Sequence, residues 1–294
     1  MARHSPAWYD AQYNNNHARI PEHPAILQAW ADDSARARAA LHGVLDVAYG
    51  ADPSERLDIF PAARANAPVL VFVHGGYWRA LDKRDQSFVA PPFVEAGAKV
   101  VLPNYALCPA VSVEHIVLQM VRALEWVWRH AADHGGDPSR IVVAGHSAGG
   151  HLAAMLLACD WPAVAPDLPP QLVGAALSIS GVFDLEPLRH APFLAADLGL
   201  TEASARRLSP ALMAPPHGKL VGLVGADESP EFLRQTASIA RAWGSGVVIA
   251  TEKVTGRHHM SVLGTFADPA SRVHRWGLRL LGLGTGGVAS SRTP

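Results

Sequence analysis

Residues 141–158, IVVAGHSAGGHLAAMLLA, decide how the rest of this chain is read. Ile141 to Ala144 is a short apolar run of β-branched character and predicts a buried strand. His151 to Ala158 has helical composition. Between them stands Gly145-His146-Ser147-Ala148-Gly149, so the order is strand, G-x-S-x-G, helix. In that setting the serine sits on a tight strand-to-helix turn with its hydroxyl exposed, and side chains at 145 or 149 would collide with backbone. The start of the helix also aims backbone N–H groups at developing negative charge. A bare G-x-S-x-G is common. The flanking pattern makes Ser147 a candidate nucleophile rather than a serine in an ordinary turn.

Outward from this segment, short apolar runs bounded by Gly and Pro recur at Leu57–Phe60, Val69–Val73, Ala98–Leu102, Val173–Ser180, Leu220–Val224 and Val247–Thr251. They read as strands buried on both faces. Helical periodicity fills the intervals at Val113–His134, Gly149–Ala158, Pro230–Trp243 and Ser271–Leu281. Strand and helix alternate, which predicts an α/β fold: a mostly parallel central sheet with helices on both faces. The 294 residues are expected to form one domain. Within it, residues 1–45, with a helical run from Ile26 to Leu41, form an N-terminal extension or cap, and the Gly/Ser-rich 283–294 form a flexible tail.

A serine hydroxyl needs a base, and in this fold class the chain order is serine, acid, histidine. Leu220–Val224 runs into Gly225-Ala226-Asp227-Glu228, which sets a carboxylate at the carboxyl edge of the sheet. The loop after Val247–Thr251 carries His258-His259. The favoured reading is His259 as base and Asp227 as the acid that fixes its tautomer. The residues themselves leave Glu228 and His258 open as alternatives. Earlier, Val73-His74-Gly75-Gly76-Tyr77-Trp78 follows the run VLVFV. The N–H groups of Gly75 and Gly76, with that of Ala148, are placed to form an oxyanion hole. Tyr77, Trp78 and His74 are candidate substrate-binding residues. His74 is also read as a pin for the loop, and the two aromatics equally as its anchors.

Composition narrows the classes further. Apolar residues make up 49% and charged residues 17% of the chain, and the formal net charge is −1. A disordered chain is thereby excluded, and no basic footprint for nucleic acid or an anionic membrane is present. The expected partner is a small molecule. Cys108 and Cys159 are too few and too far apart for a disulfide framework or a C-x-x-C site, and both are expected as reduced packing residues. The N-terminal stretch has no apolar h-region, so the cytoplasm is the expected location. Among 15 histidines, His130 and His134 stand at i, i+4, but the glutamate and third ligand of a zinc motif are missing. No metal and no cofactor are expected. The C-terminal strand–helix unit is a surface through which a homodimer can pair.

With these motifs assembled, the chain resembles the kynurenine formamidase (arylformamidase) branch of the α/β-hydrolase-fold serine hydrolases. His74–Trp78 resembles that branch's HGG-x-W loop, Asn104–Pro109 its strand-4 exit, and Gly145–Gly150 its GHSAGG elbow. Ser180–Leu188 and Gly225–Gln235 are similar to the loop after strand 6 and to the acid-bearing segment, and Trp8–Trp30 to the N-terminal cap. The resemblance covers roughly residues 8–282 and favours Asp227 and His259. One departure is His258-His259-Met260, where the family usually has Asn-His-Phe. The resemblance implies hydrolysis of N-formyl-L-kynurenine to kynurenine and formate through an acyl-serine intermediate, with Arg79 or Lys83 as the candidate partner of the substrate carboxylate. A carboxylesterase for short acyl esters is the alternative within enzymes. A non-catalytic binding protein on the same fold would be expected to have lost part of the constellation, which is all present.

Overall fold

The structure is a computed structural model that describes residues 4–15 and 19–284. Eight strands form one sheet: β1 (Val44–Ala48), β2 (Arg56–Phe60), β3 (Ala67–Val73), β4 (Lys99–Pro103), β5 (Gly136–His146), β6 (Ala175–Ile179), β7 (Lys219–Gly225) and β8 (Val248–Val254). Their order is β1-β2-β4-β3-β5-β6-β7-β8. β1 and β2, and β2 and β4, pair antiparallel; every other pair is parallel. The mostly parallel α/β architecture read from the sequence is thus present, with an antiparallel edge.

Side chains of β3 show how the sheet is buried. Val69, Val71 and Val73 belong to the apolar core on one face, with Leu124 and Leu152; Leu70 and Phe72 belong to the other, with Phe93 and Phe266. This is the period of two expected when helices cover both faces. The expectation fails at β8, where burial alternates, because an edge strand packs on one side only. β1 was not legible in the sequence. It is short and largely exposed, its pairing with β2 slips between Val44 and Val47, and Asp46 has φ of 56°. Little apolar periodicity is required of such a strand.

From β3 the chain crosses to β4 on one side and then returns to β5 on the other, so the strand order reverses between β3 and β5. At such a switch point the loops leaving adjacent strands diverge and open a crevice at their carboxyl ends. The loop after β3 and the turn after β5 flank that crevice. Helix Pro6–Tyr13 and helix His23–Ala40 come from the N-terminal extension; the second packs along the short helical segment Lys83–Val89. The proposed C-terminal tail lies, apart from residues 283 and 284, outside the described residues.

Candidate active site

Ser147 caps the helix Ala148–Leu157 with φ 56° and ψ −117°, a strained positive-φ conformation that a non-glycine residue holds only when its surroundings enforce it. The glycines on either side explain how the turn closes. A Cβ on Gly145 would lie 2.2 Å from the carbonyl oxygen of Gly149, and one on Gly149 would lie 2.0 Å from that of Val73. The turn therefore crosses against both its own helix and the end of β3. Ser147 is held in place as its N–H donates to the carbonyl of Ile179 at 2.8 Å.

The hydroxyl of Ser147 lies 3.0 Å from Nε2 of His259, and Nδ1 of His259 lies 2.7 Å from Oε2 of Glu228. Because Nδ1 faces a carboxylate, it carries the proton, which leaves Nε2 to accept from the serine. His259 is 4% exposed and Glu228 7%. The carboxylate on this histidine is thus Glu228, which corrects the placement of Asp227 there. The reason is the turn after β7. Ala226 and Asp227 donate their N–H groups to Val254 and Arg257, and the N–H of Glu228 returns to the carbonyl of Gly225 at 3.2 Å. Asp227 occupies the outer corner and is exposed, whereas Glu228 points back into the sheet edge. Its second oxygen accepts from the Gly225 N–H at 2.7 Å and from the Ser180 hydroxyl.

Of the two candidate histidines, only His259 reaches Ser147. His258 turns to the N-terminal extension, with Nε2 3.1 Å from Glu22 Oε1. A third histidine is close: His146, the residue before the serine, sits with Nε2 2.8 Å from the carbonyl of His259. A carbonyl only accepts, so Nε2 of His146 carries the hydrogen. Burial, reinforced by the neighbouring His259, lowers its pKa to about 3, so it stays neutral. The elbow thereby holds the backbone of the segment that carries His259.

The loop after β3 runs directly over Ser147: a Cβ on Gly75 would be 3.3 Å from the serine Cβ. Gly76, Tyr77 and Trp78 have φ of 100°, 50° and 57°, and the carbonyl of Gly76 accepts from both Arg79 and Ala80. No carbonyl among the described residues takes the N–H of Gly75, Gly76 or Ala148. Their donors are left for another acceptor. His74 and Trp78 do not line the cavity. His74 is fixed within the loop by Gly75 O at 2.8 Å and Asn104 Oδ1 at 3.1 Å and stacks on Tyr105 at 4.1 Å, and burial lowers its pKa to about 4. Trp78 is wholly buried with its edge on His151. Both support the loop from below, which corrects their assignment as substrate-binding residues.

A cavity of about 250 Å³ opens above Ser147 and His259. Tyr77, Phe193, Trp30, Leu27, Leu81 and Met260 supply apolar wall; Asn14, Asn15, His23, His146 and Arg79 supply polar groups. Tyr77 also donates its hydroxyl to the carbonyl of Tyr13, tying the loop to the N-terminal helix. Neither Phe193 nor Met260 could be singled out as a wall residue from spacing, because their roles depend on how distant segments close over the sheet. Lys83, weighed as a partner for a substrate carboxylate, is instead buried between Asp46 and Asp58 at 2.7 and 2.6 Å. Cys108 is buried, and burial raises its thiol pKa to about 11, so it is unreactive near neutrality. No helix among the described residues is long and apolar enough to cross a membrane.

Comparison with known proteins agrees with this fold. Residues 57–160 match the family described as BD-FAE, and residues 115–224 the carboxylesterase family. The chain is 30% identical over 267 residues to the kynurenine formamidase of Danio rerio, covering 88% of each chain. It is 30% identical to that of Salmo salar, over 90% of this chain and 89% of the relative. Esterase LipQ of Mycobacterium tuberculosis is 37% identical across 48% of this chain and 35% of its own. Among solved structures, a provisionally assigned thioesterase from Silicibacter sp. TM1040 superposes with a TM-score of 0.78 at 31% identity, covering 88% of this chain and 95% of that one. The carboxylesterase EstE1 shares the fold at a TM-score of 0.66 and 19% identity, over 90% and 98% of the two chains. The protein is a hydrolase of the α/β-hydrolase fold and belongs to the kynurenine formamidase family.

Proposed function

We propose that the protein hydrolyses N-formyl-L-kynurenine to L-kynurenine and formate, with Ser147 as nucleophile, His259 as general base and acid, and Glu228 as the carboxylate that orients and stabilises His259. The observation that carries this reading is the Ser147–His259–Glu228 relay, at 3.0 and 2.7 Å, opening into a cavity walled by Trp30, Tyr77 and Phe193. Ser147 Oγ attacks the formyl carbon as its proton passes to Nε2 of His259. The oxyanion is taken up by the N–H groups of Gly75, Gly76 and Ala148, each such donor being worth about 3–4 kcal/mol to the transition state. Arylamines leave poorly unless protonated, so the imidazolium then hands its proton to the departing nitrogen as the C–N bond breaks. Water, deprotonated by the same histidine, attacks the formyl-serine ester, and the imidazolium returns that proton to Ser147 Oγ as the ester bond breaks and formate leaves. No metal or cofactor takes part in this scheme, and the reaction is expected in the cytoplasm.

Hydrolysis of short-chain esters is the second reading, favoured by the carboxylesterase-family match over residues 115–224. The two are separated by kcat/KM for N-formyl-L-kynurenine against p-nitrophenyl acetate, measured for wild type and Ser147→Ala. The formamide is expected to be preferred by at least about a hundredfold, with the variant inactive on both. Cleavage of the ester alone would leave the relay in place and overturn the substrate assignment.

A further inference from the structure

Arg79 is the one arginine or lysine among the described residues that line the cavity over Ser147. Among the described residues its hydrogen bonds all leave through Nη1, to the carbonyl of Phe193 at 2.7 Å and to the carboxylate of Asp197. The Nε and Nη2 edge of the guanidinium meets no acceptor among the described residues, and the side chain is 31% accessible. The guanidinium lies 5.6 Å from the centre of the Phe193 ring, itself part of the cavity wall. Asp197, beside it, keeps 37% of its side chain accessible.

An arginine with one edge committed and the other open is a bidentate receptor for a carboxylate, and its orientation is already fixed by the committed bonds. A half-exposed carboxylate alongside is a receptor for an ammonium group. Lys83 offers no competing site, since Asp46 and Asp58 enclose it. We propose that Arg79 and Asp197 form a subsite for the zwitterionic head of an amino acid that carries an aryl leaving group. The substrate carboxylate sits on the open edge of Arg79 and its α-ammonium on Asp197, while the ring lies along Phe193 and Tyr77. The proposal rests on the formamidase reading above and deepens it. A neutral aryl ester can fill the apolar wall but leaves the charged pair to water, so this subsite selects amino-acid substrates over simple esters.

The test is calorimetric titration into the full chain carrying Ser147→Ala, so that binding is read without turnover. The ligands are L-kynurenine, its deaminated analogue 4-(2-aminophenyl)-4-oxobutanoate, and uncharged 2-aminopropiophenone. Kynurenine is expected to bind at least about tenfold more tightly than the uncharged ketone, and Arg79→Met to erase that preference. Asp197→Asn, at a half-exposed position, is expected to erase the preference for kynurenine over the deaminated acid. Equal affinity for the charged and uncharged ligands, no detectable kynurenine binding, or a preference that survives both substitutions overturns the proposal. Its failure is distinct from that of the formamidase reading. A protein that binds kynurenine through Arg79 yet does not cleave N-formyl-L-kynurenine keeps the subsite and loses the activity, and one that cleaves without the preference does the reverse.

Discussion

Glu228 has both oxygens committed, Oε2 to His259 and Oε1 to the Gly225 N–H and the Ser180 hydroxyl. A carboxylate held in this way keeps the imidazole in one tautomer and stabilises the imidazolium formed during attack. Glu228→Gln retains the shape but presents an amide to Nδ1, and kcat is expected to fall by about 10³–10⁴. Asp227→Asn, at the exposed corner of the same turn, is expected to change kcat/KM less than about threefold. Steady-state kinetics on the two variants checks this, and the opposite ranking would return the acid to Asp227. The sequence narrowed the acid to adjacent carboxylates at the end of β7 and favoured Asp227, whereas the structure sets Glu228 on His259. Which of the two points inward is set by the backbone turn between Gly225 and Glu228 and by the Arg257 carbonyl that receives the Asp227 N–H. None of that is carried by residue type.

The N-terminal helix Pro6–Tyr13 shows an element whose docking makes part of the site. Tyr13 is wholly buried, donates its hydroxyl to Glu231 Oε2 at 2.6 Å and accepts from Gln235 Nε2 at 3.1 Å. Both partners lie on the helix Pro230–Val247, which begins just beyond the turn that carries Glu228. Gln235 in turn accepts the N–H groups of Phe183 and Asp184, so a single side chain joins the extension, the loop after β6 and this helix. Tyr13→Phe removes a buried donor from Glu231 and is expected to cost about 1–3 kcal/mol in urea unfolding. Because Asn14 and Asn15 line the cavity directly after this helix, KM should rise more than kcat falls. A change confined to kcat would show that the helix does not shape the cavity. Helical spacing was legible at Ile26–Leu41, which overlaps the helix His23–Ala40, but not at Pro6–Tyr13, a helix of only about two turns. The anchor of the Pro6–Tyr13 helix was not legible either, because Tyr13 and Glu231 are more than two hundred residues apart in the chain.

Across the whole molecule, several fully buried histidines are held neutral: burial lowers His74 and His151 to about 4 and His146 to about 3, each from an ordinary value of 6.5. Unfolding frees them to bind protons, so their contribution to stability is complete above about pH 6.5 and is lost as pH falls toward their folded values. Each contributes a slope of about 1.4 kcal/mol per pH unit in that window. Denaturant unfolding at pH 7 and pH 5 should show a marked loss of stability at the lower pH, and a flat profile would mean that these rings are already solvated in the folded state. By itself the sequence determined the parallel sheet, the elbow at Ser147 and the glycine loop, because each is written in local periodicity or in glycines that only a tight crossing requires, and it narrowed the base to the adjacent pair His258 and His259. Only the tertiary structure decided that Glu228 rather than Asp227 meets His259, that His74 and Trp78 support the loop rather than face the cavity, that Lys83 is buried, and that Arg79 keeps an open edge. Those outcomes depend on which way a side chain points and on what a distant segment brings against it, and spacing along one chain encodes neither.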